Sequence, residues 1–396
     1  MATAVFVKRL DNMQLSESDY AAVTRDTGMP GGLPNYAYTS AEFFALEQEK
    51  LFAKTWTCIG NGCNVPQPGD LQPVGFLGQP LVMLRNRHGD IRVFHNVCSH
   101  RGNELVWEAC HVDKVIQCPY HAWAYDLDGK LLATPNVGGS GVHVIDGLDK
   151  SEFGLHEARS AVWMDLVFVN LSADAPDFET FIAPLQQRID KLVAREQFTA
   201  LKPAATHGTY TIDFAGNWKL CVENNLESYH LPTVHPDLNA VSKLEDHYHF
   251  YGDDLYAGQG SYRYDHEQTN LAAFPLLAGW QDKIAEYPTL YPNVFLGLQA
   301  DHYWTRIVQP LSAERSLDHL QIYYLGDAAD SPDFETARAH RLEVWARVFN
   351  EDIGVVEGMQ RGRQSSAFKG GVFTPIMDKP SHHFAKWVAG RIAATE

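Results

Sequence analysis

The chain has 396 residues, a formal net charge of −17, 45% hydrophobic residues and 20% charged residues. That length exceeds one ordinary core and favours two domains of normal globular composition. The acidic balance, with no Lys/Arg run, argues against a nucleic-acid partner, and no stretch of about eighteen consecutive apolar residues predicts a membrane span.

Residues 41–54 place Phe43, Phe44, Leu51 and Phe52 at helical spacing and predict an amphipathic helix. From Trp56 to about Val169 the pattern changes to short strands, LVMLRN, IRVFHNV, KVIQCPY and AWAYDL, punctuated by turn signals at His88-Gly89-Asp90 and Asp128-Gly129. A small all-β module is expected there. Residues 177–195 read as helix, HGTYTIDF as a strand, and GNWKLCVENNLESYH as a helix that stops near Pro232. Strands return between about 245 and 325, and a long helix covers roughly 333–361. A sheet crossed by long helices predicts an α+β second domain. The N-terminus lacks the basic start and apolar core of a signal peptide. Cys58, Cys63, Cys110 and Cys221 form no paired framework, so a reducing cytoplasm is the expected compartment.

Two motifs carry chemistry. Cys98-x-His100 and Cys118-x-x-His121 fall in loops of the β module. Two thiolates and two imidazoles in this order suit a [2Fe–2S] cluster of the Rieske type, in which two Cys hold one iron and two His the other. Tetrahedral zinc also accepts Cys2His2, although zinc fingers usually carry two Cys followed by two His. The aromatics Trp123 and Tyr125 follow the second pair and can wall a cluster off from water.

The second motif is VENNLESYHLPTVHP, with Glu223, Glu227, His230 and His235. Five residues span about 140° of an unbroken helix. A break at Pro232 would let His235 turn back toward His230. Two His and one carboxylate with open positions form the non-haem iron(II) pattern for oxygen activation. The last helix offers Asp352, on the same stripe as Trp345, Phe349, Val356 and Met359. A buried Asp352 paired with Arg306 or Arg361 is the competing reading. Glu351 points about 100° away from Asp352.

NVCSHRGNELV, CPYHAWAYDLDGKL and NWKLCVENNLESYHLPTVHP together resemble the catalytic α subunit of Rieske non-haem iron oxygenases, from about Phe43 to Arg363. The resemblance implies an N-terminal segment (1–45) packing on the catalytic domain, a Rieske domain (46–165) and a helix-grip catalytic domain (166–396) with a curved antiparallel sheet around a long helix. It implies cluster ligands Cys98, His100, Cys118 and His121, and mononuclear iron(II) on His230, His235 and Asp352. Glu227 takes the place of the carboxylate that bridges a cluster histidine to an iron histidine, usually across the subunits of a homotrimer. That residue is most often Asp; Glu occurs in the branch similar to carnitine and glycine-betaine oxygenases.

The implied reaction is hydroxylation or N-demethylation of a small molecule with O2. Electrons would come from NAD(P)H through a separate flavin/iron–sulfur reductase, because no nucleotide fingerprint is present in the chain. A quaternary-ammonium substrate is favoured. An aromatic acid is the alternative, and a simple Rieske electron carrier is a third. By the same resemblance, Tyr291, Phe295, Tyr303 and Trp304 are the expected pocket residues, in a stretch that also holds Tyr287.

Overall fold

The computed structural model describes residues 14–26, 28–265, 269–271 and 285–394. They form two compact units, Trp56–Ala175 and a larger one made of residues up to Thr55 with those from Pro176 onward. The first unit lies about ten residues further along than the 46–165 expected. Two local facts account for this. Strand Leu166–Asn170 pairs antiparallel with Thr57–Asn61 inside the smaller unit. The helical segment Ala41–Phe52 belongs to the larger one, where Lys50 Nζ reaches the Ile392 carbonyl at 3.4 Å.

The smaller unit is all β, with sheets of three, four and three strands. Its core gathers Leu71, Val82, Leu84, Phe94, Trp123 and Tyr125 with the two motif cysteines.

The larger unit is an α+β domain built on an eight-stranded antiparallel sheet. Leu201–Pro203 and Thr209–Phe214 both pair with Arg315–Leu325. From there the sheet runs through Tyr303–Ser312, Val294–Leu298, Ala285–Leu290 and Tyr256–Ser261 to His247–Gly252. Three helices matter for the site: α1 (Trp218–Asn225), α2 (Glu335–Gly362) and α3 (Lys379–Ala393). α2 packs against α1 and against strand Thr209–Phe214. Among the described residues no helix is long and apolar enough to cross a membrane.

α1 starts at Asn217, whose side chain accepts from Lys219 N–H as an N-cap. It is fixed by charge as well as by packing. Lys219 is fully buried, with Nζ 2.6 Å from Glu47 Oε1 and 2.8 Å from Asn217 Oδ1, and Trp218 Nε1 donates to Glu47 Oε2 at 3.0 Å. Removing one partner of such a pair leaves an uncompensated buried charge, which costs about 3–5 kcal/mol. One turn further along, part-buried Glu223 accepts from Tyr38 Oη at 2.5 Å. Residues 36–47 therefore clamp the helix that leads into the second motif.

Candidate metal centres and the adjoining cleft

The two cysteine–histidine pairs sit in loops with one backbone pattern. Cys98 N–H donates to Asn103 O at 2.8 Å and Gly102 N–H to Cys98 O at 3.0 Å. Cys118 N–H donates to Trp123 O at 2.8 Å and Ala122 N–H to Cys118 O at 3.0 Å. The fifth residue of each loop has positive φ, +72° at Gly102 and +58° at Ala122. Glycine adopts that conformation freely and alanine at a cost of roughly 1–2 kcal/mol.

The result is two buried sulfurs beside two imidazoles whose ring centroids lie 4.8 Å apart. The His100 ring is stacked on Trp123 at 4.6 Å. The Tyr125 hydroxyl accepts from Ser99 N–H at 3.1 Å and lies 3.1 Å from Cys98 Sγ, so its own proton is available to the sulfur. Burial pushes the Cys98 thiol above its ordinary pKa, against the opposing effect of the Tyr125 bond.

His121 Nδ1 is buried without a hydrogen-bond partner. An orphaned imidazole nitrogen beside two buried sulfurs fits a metal ligand. Among the described residues, only His230, His235 and Asp352 bring three ligand atoms within 4.8 Å of one another.

The second set is assembled from three segments. α1 ends at Asn225, earlier than the sequence pattern suggested. Pro232 does not terminate that helix but sits in the first turn of a short new one, Leu231–Val234, where a missing N–H costs nothing. His230 precedes this turn. His235 lies between it and the next helix, Pro236–Val241, with φ −120° and ψ 61°. The two rings come to 5.1 Å between centroids.

Asp352 Oδ1 on α2 lies 3.0 Å from His235 Nε2 and 3.8 Å from His230 Nε2. Despite that proximity, Oδ1 is buried without a hydrogen bond of acceptable geometry. Three donor atoms thus converge without satisfying one another, as a shared cation requires. Burial would raise the Asp352 pKa, but His235 and then His230 hold it below the carboxylate range. Burial would lower His235, but Asp352 and Glu351 raise it. The arginine reading of Asp352 fails, because Arg306 pairs with Asp318 and Arg361 with Glu357.

The outward nitrogens are also partnered. His230 Nδ1 lies 2.6 Å from Glu227 Oε1, while Glu227 Oε2 accepts from the backbone N–H groups of Tyr229 and His230. His235 Nδ1 lies 2.7 Å from Glu351 Oε2. Each carboxylate can accept a hydrogen bond from Nδ1–H, the tautomer whose Nε2 lone pair faces the shared point.

A narrow cleft opens beside this set. Its apolar wall is Tyr287, Trp304, Trp345, Val348 and Phe349, and its polar lining includes Asn225, His247, Gln259 and Arg306. Trp345 and Phe349 stack at 5.4 Å, and Trp304 meets both edge-on at 5.3 and 5.4 Å. Trp345 is oriented by a chain of polar groups. Its Nε1 donates to His302 Nε2 at 2.6 Å, His302 Nδ1 lies 2.6 Å from Asp301, and Asp301 pairs with Arg341 at 2.7 Å.

Of the four expected pocket residues only Trp304 lines the cleft. Strand alternation explains Tyr303, which points away from its neighbour Trp304 and packs on Phe198 and Tyr323. Tyr291 packs on Phe384 and Trp387 of α3 and bonds His383 through its hydroxyl at 2.9 Å. Phe295 lies opposite Arg306 in the strand register and is covered by that guanidinium at 5.1 Å.

Trp345 and Phe349 were missed, although the signal was present. They stand on the stripe that carries Asp352, so a carboxylate aimed at the metal carries both rings to the same cavity. Glu351 was missed because its bearing was judged against Asp352 alone, whereas its partner His235 approaches from the side.

Comparison with known proteins bears on both centres. The Rieske [2Fe-2S] domain model matches residues 55–145, and the ring hydroxylating alpha subunit (catalytic domain) model matches residues 201–394. The carnitine monooxygenase oxygenase subunit of Acinetobacter pittii is 30% identical over 342 residues, which are 85% of this chain and 86% of that one. The glycine betaine monooxygenase oxygenase subunit of Pseudomonas aeruginosa is 26% identical over 418 residues, covering 96% and 94%. A solved quaternary ammonium Rieske monooxygenase, described for carnitine oxidation and inter-subunit electron transfer, superposes with a TM-score of 0.78 at 25% identity, covering 96% and 99%.

Proposed function

The chain belongs to the Rieske ring-hydroxylating oxygenases as a catalytic α subunit, and we propose that its substrate is a small quaternary-ammonium compound of the betaine or carnitine type. The observation that carries this reading is the wall of Tyr287, Trp304, Trp345 and Phe349 immediately beside His230, His235 and Asp352. Aromatic faces attract a trimethylammonium group by about 0.5–2 kcal/mol each, more when water is excluded. The relatives named for carnitine and glycine betaine support the same class.

In this reading Cys98, His100, Cys118 and His121 hold the [2Fe–2S] cluster, and His230, His235 and Asp352 hold iron(II). The cluster supplies single electrons, and the mononuclear iron supplies oxygen activation. The chain's own share is placement. Trp304, Trp345 and Phe349 set the N-methyl carbon against the metal-facing side of the cleft. Their bulk keeps water from that side. Hydroxylation of a carbon bonded to the nitrogen yields a carbinol whose C–N bond breaks to release an amine and an aldehyde, formaldehyde when that carbon is a methyl. Hydroxylation of a carbon not bonded to nitrogen yields an alcohol.

Glu227 is the proposed electron bridge. It already holds His230 Nδ1, and it retains acceptor capacity on Oε1 for a cluster histidine of a neighbouring subunit. A homotrimer in which each cluster serves the next subunit's iron follows, with a separate flavin/iron–sulfur reductase oxidising NAD(P)H. A cytoplasmic location accords with the exposed thiol of Cys110, which joins no disulfide.

The test is O2 uptake by the protein reconstituted with a Rieske-oxygenase reductase, against a panel of trimethylammonium zwitterions and aromatic acids. Stoichiometric uptake and product with a trimethylammonium compound supports the reading. Turnover confined to an aromatic acid would overturn the quaternary-ammonium reading in favour of an aromatic-acid substrate.

A further inference from the structure

The two histidines of the proposed iron site are held differently, and the difference singles out one side chain. His230 takes its carboxylate from Glu227, three residues before it, in a turn closed by two backbone N–H groups. His235 takes its carboxylate from Glu351, 116 residues away on α2 and adjacent to Asp352. Loop and helix also meet at Arg347 and Asp237, but that contact is exposed and 4.0 Å long, too weak to fix either segment.

We infer that Glu351 is a positioning residue that locks the tautomer and rotation of His235 and ties the histidine loop to the Asp352 helix, so that it sets the site's affinity for iron(II). The inference rests on the iron reading of His230, His235 and Asp352.

The physical argument has three parts. A ligating imidazole must be neutral with its lone pair on the metal side. A neutral histidine without a partner divides its proton between Nδ1 and Nε2. The Glu351 carboxylate, 2.7 Å from Nδ1, selects the Nδ1–H form and increases the donor strength of Nε2. Second, His235 lies where two short helices meet; its N–H donates to Leu231 O and its carbonyl accepts from Asn239 N–H, which holds the backbone but leaves the ring's rotation to a side-chain partner. Third, Glu351 and Asp352 leave α2 about 100° apart. One helix turn therefore supplies a ligand directly and aims a second ligand from the side. Every hydrogen bond and ion pair found for the Glu351 side chain goes to His235, so no structural alternative competes for it.

The experiment uses the full-length protein with its Rieske cluster intact. The mononuclear metal is removed by anaerobic chelation, and iron(II) is titrated back in competition with a coloured chelator. Cobalt(II) is titrated in parallel for its ligand-field absorption. Glu351→Ala is expected to weaken iron(II) binding by about 10–100-fold, to alter the cobalt spectrum, and to leave the cluster absorption and thermal melting as in the wild type. Glu351→Gln keeps an oxygen that accepts from Nδ1–H and is expected to recover most of the affinity. Glu351→Lys cannot accept and should bind at least as weakly as the alanine variant. An alanine or lysine variant with wild-type affinity and cobalt spectrum would overturn the inference. A His235→Ala control that binds metal as the wild type does would instead overturn the iron site itself.

Discussion

Gly297 faces Trp304 across the strand pair, and a single methyl group there tests the cleft without replacing any lining residue. A Cβ at this position would lie 1.9 Å from Trp304 Cε2 and 2.3 Å from its Nε1. Carbon–carbon contact is comfortable at about 3.5–4.0 Å, so in Gly297→Ala the indole has to withdraw by roughly 1.5 Å. The ring is buried and edged by Trp345 and Phe349, so the space left to it is the cleft it lines. Overpacking of this kind costs about 1–3 kcal/mol, and each kcal/mol lowers the melting point of a domain of 150–250 residues by about 2–4 °C. The same shift moves the aromatic wall relative to the iron ligands, and misplacement by about 1 Å can cost on the order of 100-fold in rate.

The assay is a double-mutant cycle read by thermal melting and by KM and kcat for an accepted trimethylammonium compound. Gly297→Ala should be costly in the wild-type background and nearly neutral once Trp304→Ala has removed the obstacle, with a coupling of about 1–3 kcal/mol. Equal penalties in both backgrounds, or wild-type melting and KM in the single variant, would refute the placement of Trp304.

Other outcomes follow from the same geometry. Asp352→Ala should remove the mononuclear iron and all turnover while the cluster spectrum persists, measured as a fall in iron with constant sulfide. Glu227→Gln should keep both metals, retaining one acceptor oxygen for His230 Nδ1–H or for the backbone N–H groups but not for both, and should slow electron transfer between the centres in single-turnover kinetics; normal transfer would remove its bridging role. Tyr125→Phe deletes the hydroxyl 3.1 Å from Cys98 Sγ. A bond of about 1 kcal/mol favouring the more negative reduced cluster corresponds to roughly 40 mV, so potentiometry should read a lower potential. Lys219→Met leaves Glu47 buried without its cation and should destabilise the larger unit by about 3–5 kcal/mol in denaturant unfolding.

The ligands were legible in the sequence because metal chemistry imposes residue type and short spacing together. Cys98, His100, Cys118 and His121 lie within one small module, and His230 and His235 are separated by one proline-bearing turn. Asp352 was reachable because a carboxylate on an apolar helical stripe demands a partner. The cleft was harder to read. Tyr303 and Trp304 are chemically similar neighbours, and only the strand's registration against the sheet decides which one faces the cavity. Phe295 points to the right side but lies beneath Arg306, a contact between strands that no local pattern reveals.

Strand Ala285–Leu290 falls inside the stretch of expected strands but carries no local strand pattern of its own. It is buried on both faces, so it shows no alternation, and it contains Glu286 and Pro288. Burial of Glu286 is explained by Arg188, 98 residues away, at 2.6 Å. α3 was overlooked despite Phe384, Trp387, Val388 and Ile392 at helical spacing, although Pro380 marks its first turn.

The central claim is that one chain carries a two-iron cluster and a separate mononuclear iron. The most direct measurement is iron and acid-labile sulfide per chain on anaerobically purified protein, with the electron paramagnetic spectrum of the reduced form. The account predicts about three irons and two sulfides, a Rieske-type resonance, and loss of one iron alone in Asp352→Ala. Zinc without sulfide, or a cluster unaccompanied by any iron that ferrous salt can restore at His230, His235 and Asp352, would contradict it.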